Sequence, residues 1–181
     1  MIKKLIISSS MIVSSFVILE KPVDAAISNK PGDIIITNST SGSGIVGHSG
    51  IYIDATHILH ASGWKSEPYP KVITEKSWHA RYKQSKVVRS TSSTIGKKAA
   101  DKAKYYFQNK KIPYKVSRNP TNITNTYCSE LIWYSYYKAG KTIKTRNSSG
   151  FFQPKEYVKP YDFINYSIMD YNNLKYVDNK W

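Results

Sequence analysis

Cysteine is almost absent from this 181-residue chain, in which Cys128 stands alone. No internal disulfide can form, and no CxxC or HxxxH spacing supplies the ligand pattern of a structural zinc site. Acidic residues are also scarce: 12 Asp and Glu face 27 Lys and Arg, for a formal charge of +15. Beyond the N-terminus no apolar run approaches the ~18 to 20 residues that a membrane-spanning helix needs. The basic residues are scattered, with pairs such as Lys97-Lys98 and Lys110-Lys111, and no nucleic-acid-binding motif accompanies them, so a nucleic-acid partner is not expected. Such a charge suits anionic surroundings, such as phospholipid or wall polymers. It speaks to location more than to chemistry.

The N-terminus carries Lys3 and Lys4, an apolar stretch from Leu5 to Leu19, and Val23-Asp24-Ala25 as a small-residue cleavage site. This is the pattern of a secretory signal peptide. Cleavage after Ala25 removes 25 of 181 residues and leaves 156 (26–181), the length of one domain able to bury its own core. It also removes Lys3, Lys4 and Lys21 against Glu20 and Asp24, so the charge falls from +15 to +14. The expectation is a secreted single-domain protein, in contact with the wall. No cysteine lies near the cleavage site, so a lipid anchor there is not expected.

Pro31-Gly32 introduces "DIIIT", Asp33 to Thr37, a β-branched run that reads as a buried strand. "NSTSGSG", Asn38 to Gly44, reads as a flexible loop able to cover a site. "VGHSGIYI" (46–53) and "HILHAS" (57–62) form a candidate β-hairpin. A short helix is expected near Glu75 to Tyr82 and a strand over Ser85 to Ser90. Apolar residues Ile95, Ala99, Ala103, Tyr106 and Phe107 recur at helical spacing over Thr94 to Asn109. A second helix begins with Asn125 or Thr126 as N-cap and ends at Gly140. The tail offers a helical turn near Tyr161 to Asn165 and a strand around Tyr166 to Tyr171. Short strands and a hairpin mixed with two long helices predict an α+β fold with a mostly antiparallel sheet.

The lone thiol falls in the first turn of the second helix, at its third position if Asn125 is the cap. Unpaired backbone N–H groups and the helix dipole there favour an anion, so the thiol pKa is expected to fall. The same N–H groups suit the oxyanion of a tetrahedral intermediate. A thiol nucleophile needs a base, in practice an imidazole. Four histidines are available. If the hairpin pairs with position numbers summing to 108, His48 and His60 lie opposite each other on one face and His57 on the other. His79 has no such placement. One histidine in a strand is ordinarily structural. A cross-strand pair beside Gly47 and Gly50 is a structural pair, part of a catalytic site or, with the cysteine, a set of zinc ligands, and no metal-binding spacing supports the last.

"GDIIIT", then "GHSGIYI" with a second histidine twelve residues after the first, then "YCSELIWYSYYKAG" resembles the circularly permuted branch of the papain-like, NlpC-type cysteine peptidases. The same order occurs in lecithin:retinol acyltransferase-like enzymes. The resemblance runs from about Asp33 to Tyr171. It implies a permuted papain-like fold, a small antiparallel sheet or half-barrel with the cysteine helix packed against it. It also implies a Cys128 nucleophile, a His48 base and a His60 orienting residue, with no cofactor. The leading expectation is a secreted hydrolase of an amide in cell-wall peptides, with Tyr127 and Tyr52 as substrate contacts. The alternatives are an acyltransferase or lipid ester hydrolase of the same fold, and a basic surface-binding module without turnover.

Overall fold

A computed structural model of the chain describes residues 28–40, 46–146, 152–153 and 157–181. The expected signal peptide, and residues 41–44 of the expected covering loop, lie outside the described residues. Six strands form one open antiparallel sheet: β1 (Ile34–Thr37), β2 (His48–Tyr52), β3 (His57–His60), β4 (Lys71–Thr74), β5 (Ser85–Ser90) and, late in the chain, β8 (Leu174–Asp178). Their order across the sheet is β4-β3-β2-β1-β5-β8. A two-stranded ribbon, β6 (Thr145–Arg146) with β7 (Phe152–Gln153), stands apart from it. The helices are α1 (Glu75–Arg81), α2 (Ser93–Phe107), α3 (Cys128–Lys138) and α4 (Tyr166–Tyr171), with a 3-10 turn over Pro160–Ile164. The fold is therefore α+β, as the pattern of strands and helices predicts, and the sheet does not close.

Both faces of the sheet are covered, which is why its central strands read as unbroken apolar runs. Ile34, Ile36, Ile51, Leu59 and Val88 bury one face against α2 and α3 through Ala99, Ala103, Phe107, Leu131 and Ile132. Ile35, Tyr52, Ile58, Ile73 and Val87 bury the other against Trp78 and Tyr82 at α1. The alternation within β1 places consecutive isoleucines in different cores, as the two-residue period of a strand requires.

Three expectations need correction. The hairpin pairs Gly50 with His60 and Ile51 with Leu59, so position numbers sum to 110. The slip is by two, which preserves the face of every side chain and makes His48 and His60 diagonal neighbours. Helix α3 starts later than expected, with Tyr127 as its N-cap and Cys128 first in the helix. Thr126 N–H donates to Pro113 O at 3.0 Å and Thr126 O accepts from Lys115 at 3.0 Å, which holds Thr126 extended and prevents it from joining the turn. In the tail, Tyr166–Tyr171 is helical and the strand comes after it. Asn165 caps that helix by accepting from Ile168 N–H, and Asn173 turns the chain with φ 52° into the strand that pairs Leu174 with Ser90.

Candidate functional site

His48 opens β2, and the glycine before it makes its position possible. Gly47 has φ +65° with the Tyr161 ring 2.8 Å from where a Cβ would sit, so any other residue there meets both strain and overlap. Gly50 does a second job. It lies opposite His60 without a side chain, and a Cβ there would come 2.5 Å from Ile58 and 3.3 Å from His60. The His60 ring therefore reaches diagonally to His48, whose Nε2 lies 2.9 Å from His60 Nδ1. The histidine pair forms through the vacancy at Gly50, although the two residues are not directly opposed.

The imidazoles sit in an aromatic clamp. The His48 ring stacks on Trp78 with centroids 5.3 Å apart and meets Tyr82 at the same distance. Trp78 is fixed in turn by donating Nε1–H to Ser85 Oγ at 2.9 Å. Burial holds His48 well below its ordinary pKa, with His60 and Arg81 adding to the effect and Glu67 opposing it. Burial likewise lowers His60 to about 4. Both rings are therefore neutral at pH 7. His60 Nε2 is buried with no partner among the described residues.

Cys128 approaches β2 from the other face. Its thiol donates to Ser129 Oγ at 3.9 Å, and Ser129 Oγ donates to Val158 O at 2.7 Å. Ser49, next in sequence to His48, lies beside the sulfur, where its hydroxyl and backbone favour the thiolate. The Ser49 hydroxyl itself completes no regular hydrogen bond. Tyr114 presents its hydroxyl to the same sulfur, and burial first, then the sulfur, hold this phenol above its ordinary pKa. Burial pushes the Cys128 thiol up, outweighing the two serines. The first helical position favours an anion, so dipole and burial act in opposite directions. The expected fall in thiol pKa is thus replaced by a rise.

Cys128 and His48 line adjoining cavities. The first, about 440 Å³, surrounds Cys128 with Val46, Val116, Tyr127, Tyr157, Val158 and Pro160 among its walls. The second, about 570 Å³, holds His48 with Thr40, Ser62, Trp64, Arg81 and Tyr82. Val46, Gly47 and Tyr114 belong to both. The two cavities thus adjoin at the N-terminal end of β2, and no hydrogen bond joins sulfur and imidazole among the described residues. Of the other expected site residues, Tyr127 lines the first cavity and its hydroxyl accepts from Val158 N–H at 2.8 Å. Tyr52 lies fully buried in the α1-side core and donates to Glu75 at 2.8 Å. It lines neither cavity. His57 pairs with Asp54 at 2.9 Å and His79 stands 3.9 Å from Glu75.

Sequence reasoning overlooked the clamp, Tyr114, Ser49 and Arg81. Trp78, Arg81 and Tyr82 form one visible cluster, but only the register of α1 on the sheet brings them to His48. Tyr114 reaches Cys128 because residues 114 and 126 form an isolated bridge, a pairing without a sequence signature. Among the described residues no group of three or more His, Cys, Asp or Glu side chains is placed to hold a metal ion, and no helix is long and apolar enough to cross a membrane.

Fold and site define a class: an open-sheet α+β protein in which a thiol at a helix N-terminus adjoins a sheet-borne imidazole pair. More particularly, the chain belongs to the lipoprotein N-acylation protein LnsA-like family, whose profile matches residues 1–179. The family is one of acyl-transfer type. A Bacillus thuringiensis relative described as an uncharacterized 30.3 kDa protein is 31% identical over 120 residues, covering 60% of this chain and 44% of that one. The chain thus spans less than half the length of that relative. Among solved structures, a protein of Escherichia coli O157:H7 described as metalloprotein yiiX superposes with a TM-score of 0.61 at 22% identity, over 84% of this chain and 98% of that one. That likeness concerns the fold.

Proposed function

We propose that the protein is a thiol acyltransferase in which Cys128 carries a long acyl group as a thioester and passes it to an amine. The observation that carries this reading is the apolar cavity around the thiol. At its mouth Val46, Val116 and Tyr157 are 67%, 52% and 38% exposed, an apolar rim that a cleft built for polar wall peptide does not need and an acyl chain does. Family membership supports acyl transfer to an amine, and the basic charge supports work at an anionic membrane surface outside the cell, where the leader sequence would send the chain.

The neutral pair dictates the order of events. A base at His48 requires the tautomer in which His48 Nε2–H donates to His60 Nδ1 across their 2.9 Å contact, which leaves His48 Nδ1 as an acceptor and puts the remaining proton of His60 on Nε2. His48 removes the thiol proton as sulfur attacks the acyl carbonyl, because with a raised thiol and lowered imidazoles a standing thiolate–imidazolium pair is not favoured. The backbone N–H of Cys128 and the Tyr114 hydroxyl face the developing oxyanion. The proton on His48 then goes to the leaving group, forming the thioester. An incoming amine attacks that thioester, gives its proton to His48, and the proton returns to sulfur as the amide departs. His60 keeps the tautomer of His48 fixed throughout.

The proposed chemistry routes no step through a metal. Nε2 and Nδ1 at 2.9 Å are within hydrogen-bond contact, and the nitrogens that face each other are used by each other. Hydrolysis of a wall-peptide amide, favoured by the basic charge, would use the same acyl-enzyme with water as acceptor. The discriminating experiment incubates the protein and its Cys128→Ala variant with phospholipid vesicles plus an amine-terminated acceptor peptide, and separately with peptidoglycan. Mass spectrometry should find an acylated peptide from the intact protein alone. Soluble wall fragments without acylated peptide would overturn the acyltransfer reading.

A further inference from the structure

The second cavity has a more polar lining than the first, and the two share Tyr114. Arg81 is its one lining residue with a fixed charge. The guanidinium is pinned: Nη1 and Nη2 donate to the two oxygens of Glu67 at 2.9 and 2.8 Å, and its plane lies over the Trp64 ring, 5.0 Å from the centroid. That end-on grip leaves the side-on edge, Nε–H and the outer Nη2–H, without a partner among the described residues. Glu67 is nearly buried and also pairs with Lys71 at 3.1 Å. Arg81, the first cause, and Lys71 hold its carboxyl down at about 2. Two cations and one anion leave one net positive charge. Thr40, which lines the same cavity, has its Oγ1 buried without a partner among the described residues.

From this juxtaposition we infer that the polar cavity is a phosphate-binding subsite, in which the side-on edge of Arg81 and the Thr40 hydroxyl take the phosphate of the acyl-bearing substrate while its chain lies in the apolar cavity across Tyr114. A tetrahedral group has oxygens enough for both partners at once. The placement also has a catalytic consequence. Arg81 is one of the charges that depress His48, and a phosphate on Arg81 offsets it, so the substrate itself raises the basicity of the imidazole that must accept the thiol proton. The inference rests on the acyltransfer reading for the identity of the second fragment, but the subsite can be tested without turnover.

The test uses the Cys128→Ala protein and NMR titration of the His48 and Trp64 ring signals, with glycerol 3-phosphate, glycerol and dihexanoyl phosphatidylglycerol as probes. Glycerol 3-phosphate should move both rings and raise the His48 pKa, whereas glycerol should do neither. The short-chain lipid should bind at least tenfold more tightly than glycerol 3-phosphate, since it fills both cavities. Adding Arg81→Gln should weaken phosphate binding by ten- to a hundredfold, the range for losing a charged hydrogen bond. Because this variant strips Glu67 of a partner, Arg81→Lys, which keeps the charge, serves as its folding control and should lose less. Equal binding of glycerol and glycerol 3-phosphate overturns the subsite, as do shifts confined to the basic surface around Lys30, Arg89 and Lys97. A lipid no tighter than glycerol 3-phosphate overturns its link to the acyl substrate. If phosphate binds as expected while the intact protein transfers no acyl group, the subsite stands and the proposed function falls.

Discussion

Glu130 lies two residues beyond the thiol, fully buried in the first turn of α3. Ser117 Oγ donates to its Oε1 at 3.4 Å, and Oε2 has no partner among the described residues. Burial raises this carboxyl from 4.5 to about 8, against the hydrogen bonds from Ser117 and the Tyr127 backbone. The folded protein therefore holds a proton that the unfolded chain gives up above pH 4.5. The favourable contribution is complete below pH 4.5 and is lost as pH rises toward 8. Between pH 5 and pH 7 that loss is about 2.5 kcal/mol, at roughly 1.4 kcal/mol per pH unit once the unfolded carboxyl is ionised. Glu130→Gln keeps the shape and cannot ionise. Other titrating groups are common to both proteins, so the comparison isolates this one. Urea unfolding at pH 5, 6 and 7 should show the variant gaining on the parent by about 2.5 kcal/mol, or roughly 1 M in midpoint for an ordinary denaturant slope. Midpoints that move in parallel for the two proteins would refute the buried, neutral Glu130.

Two further outcomes follow from the site. The acid limb of kcat/KM should lie below pH 6.5, because His48 and His60 are both depressed by burial; a limb at or above 6.5 in a pH–rate profile would contradict a neutral buried pair. Gly50→Ala should cost about 1 to 3 kcal/mol by overpacking and reduce turnover, since the new methyl falls 2.5 Å from Ile58 and crowds His60. Thermal unfolding and rate measurements check both effects, and an unchanged Tm with full activity would show that His60 does not need the gap.

Much of the fold was legible because burial leaves periodic traces. The β-branched run of β1, the strand over Ser85–Ser90 and the Ile95, Ala99, Ala103 stripe of α2 announce themselves. The hairpin was legible in face but not in register, since a slip of two leaves every parity intact and only packing at Gly50 decides between the alternatives. Tyr166–Tyr171 misleads because its aromatic content suits a strand, while the helix depends on the Asn165 cap and on Ile168 and Met169 reaching the core. Strand β4 offers only Val72 and Ile73 as apolar residues, too few for a pattern. The site divides the same way. Its three polar residues could be named from position and spacing, but the direction of the thiol pKa could not. Helix position argues for a thiolate, and the burial that reverses it, against the opposing hydrogen bonds of Ser49 and Ser129, comes from tertiary packing that leaves no local trace in the sequence.

Acyl transfer through the thiol requires that Cys128 become acylated during turnover. Rapid mixing of the protein with phospholipid vesicles in the absence of an amine acceptor, followed by acid quench and intact mass spectrometry, tests it directly. The expected result is a mass increase of one fatty acyl group located on the peptide holding Cys128, removed by neutral hydroxylamine as a thioester must be, and absent from Cys128→Ala. Acyl product formed on an added amine with no adduct on Cys128 at any time, or formed equally by Cys128→Ala, would contradict it.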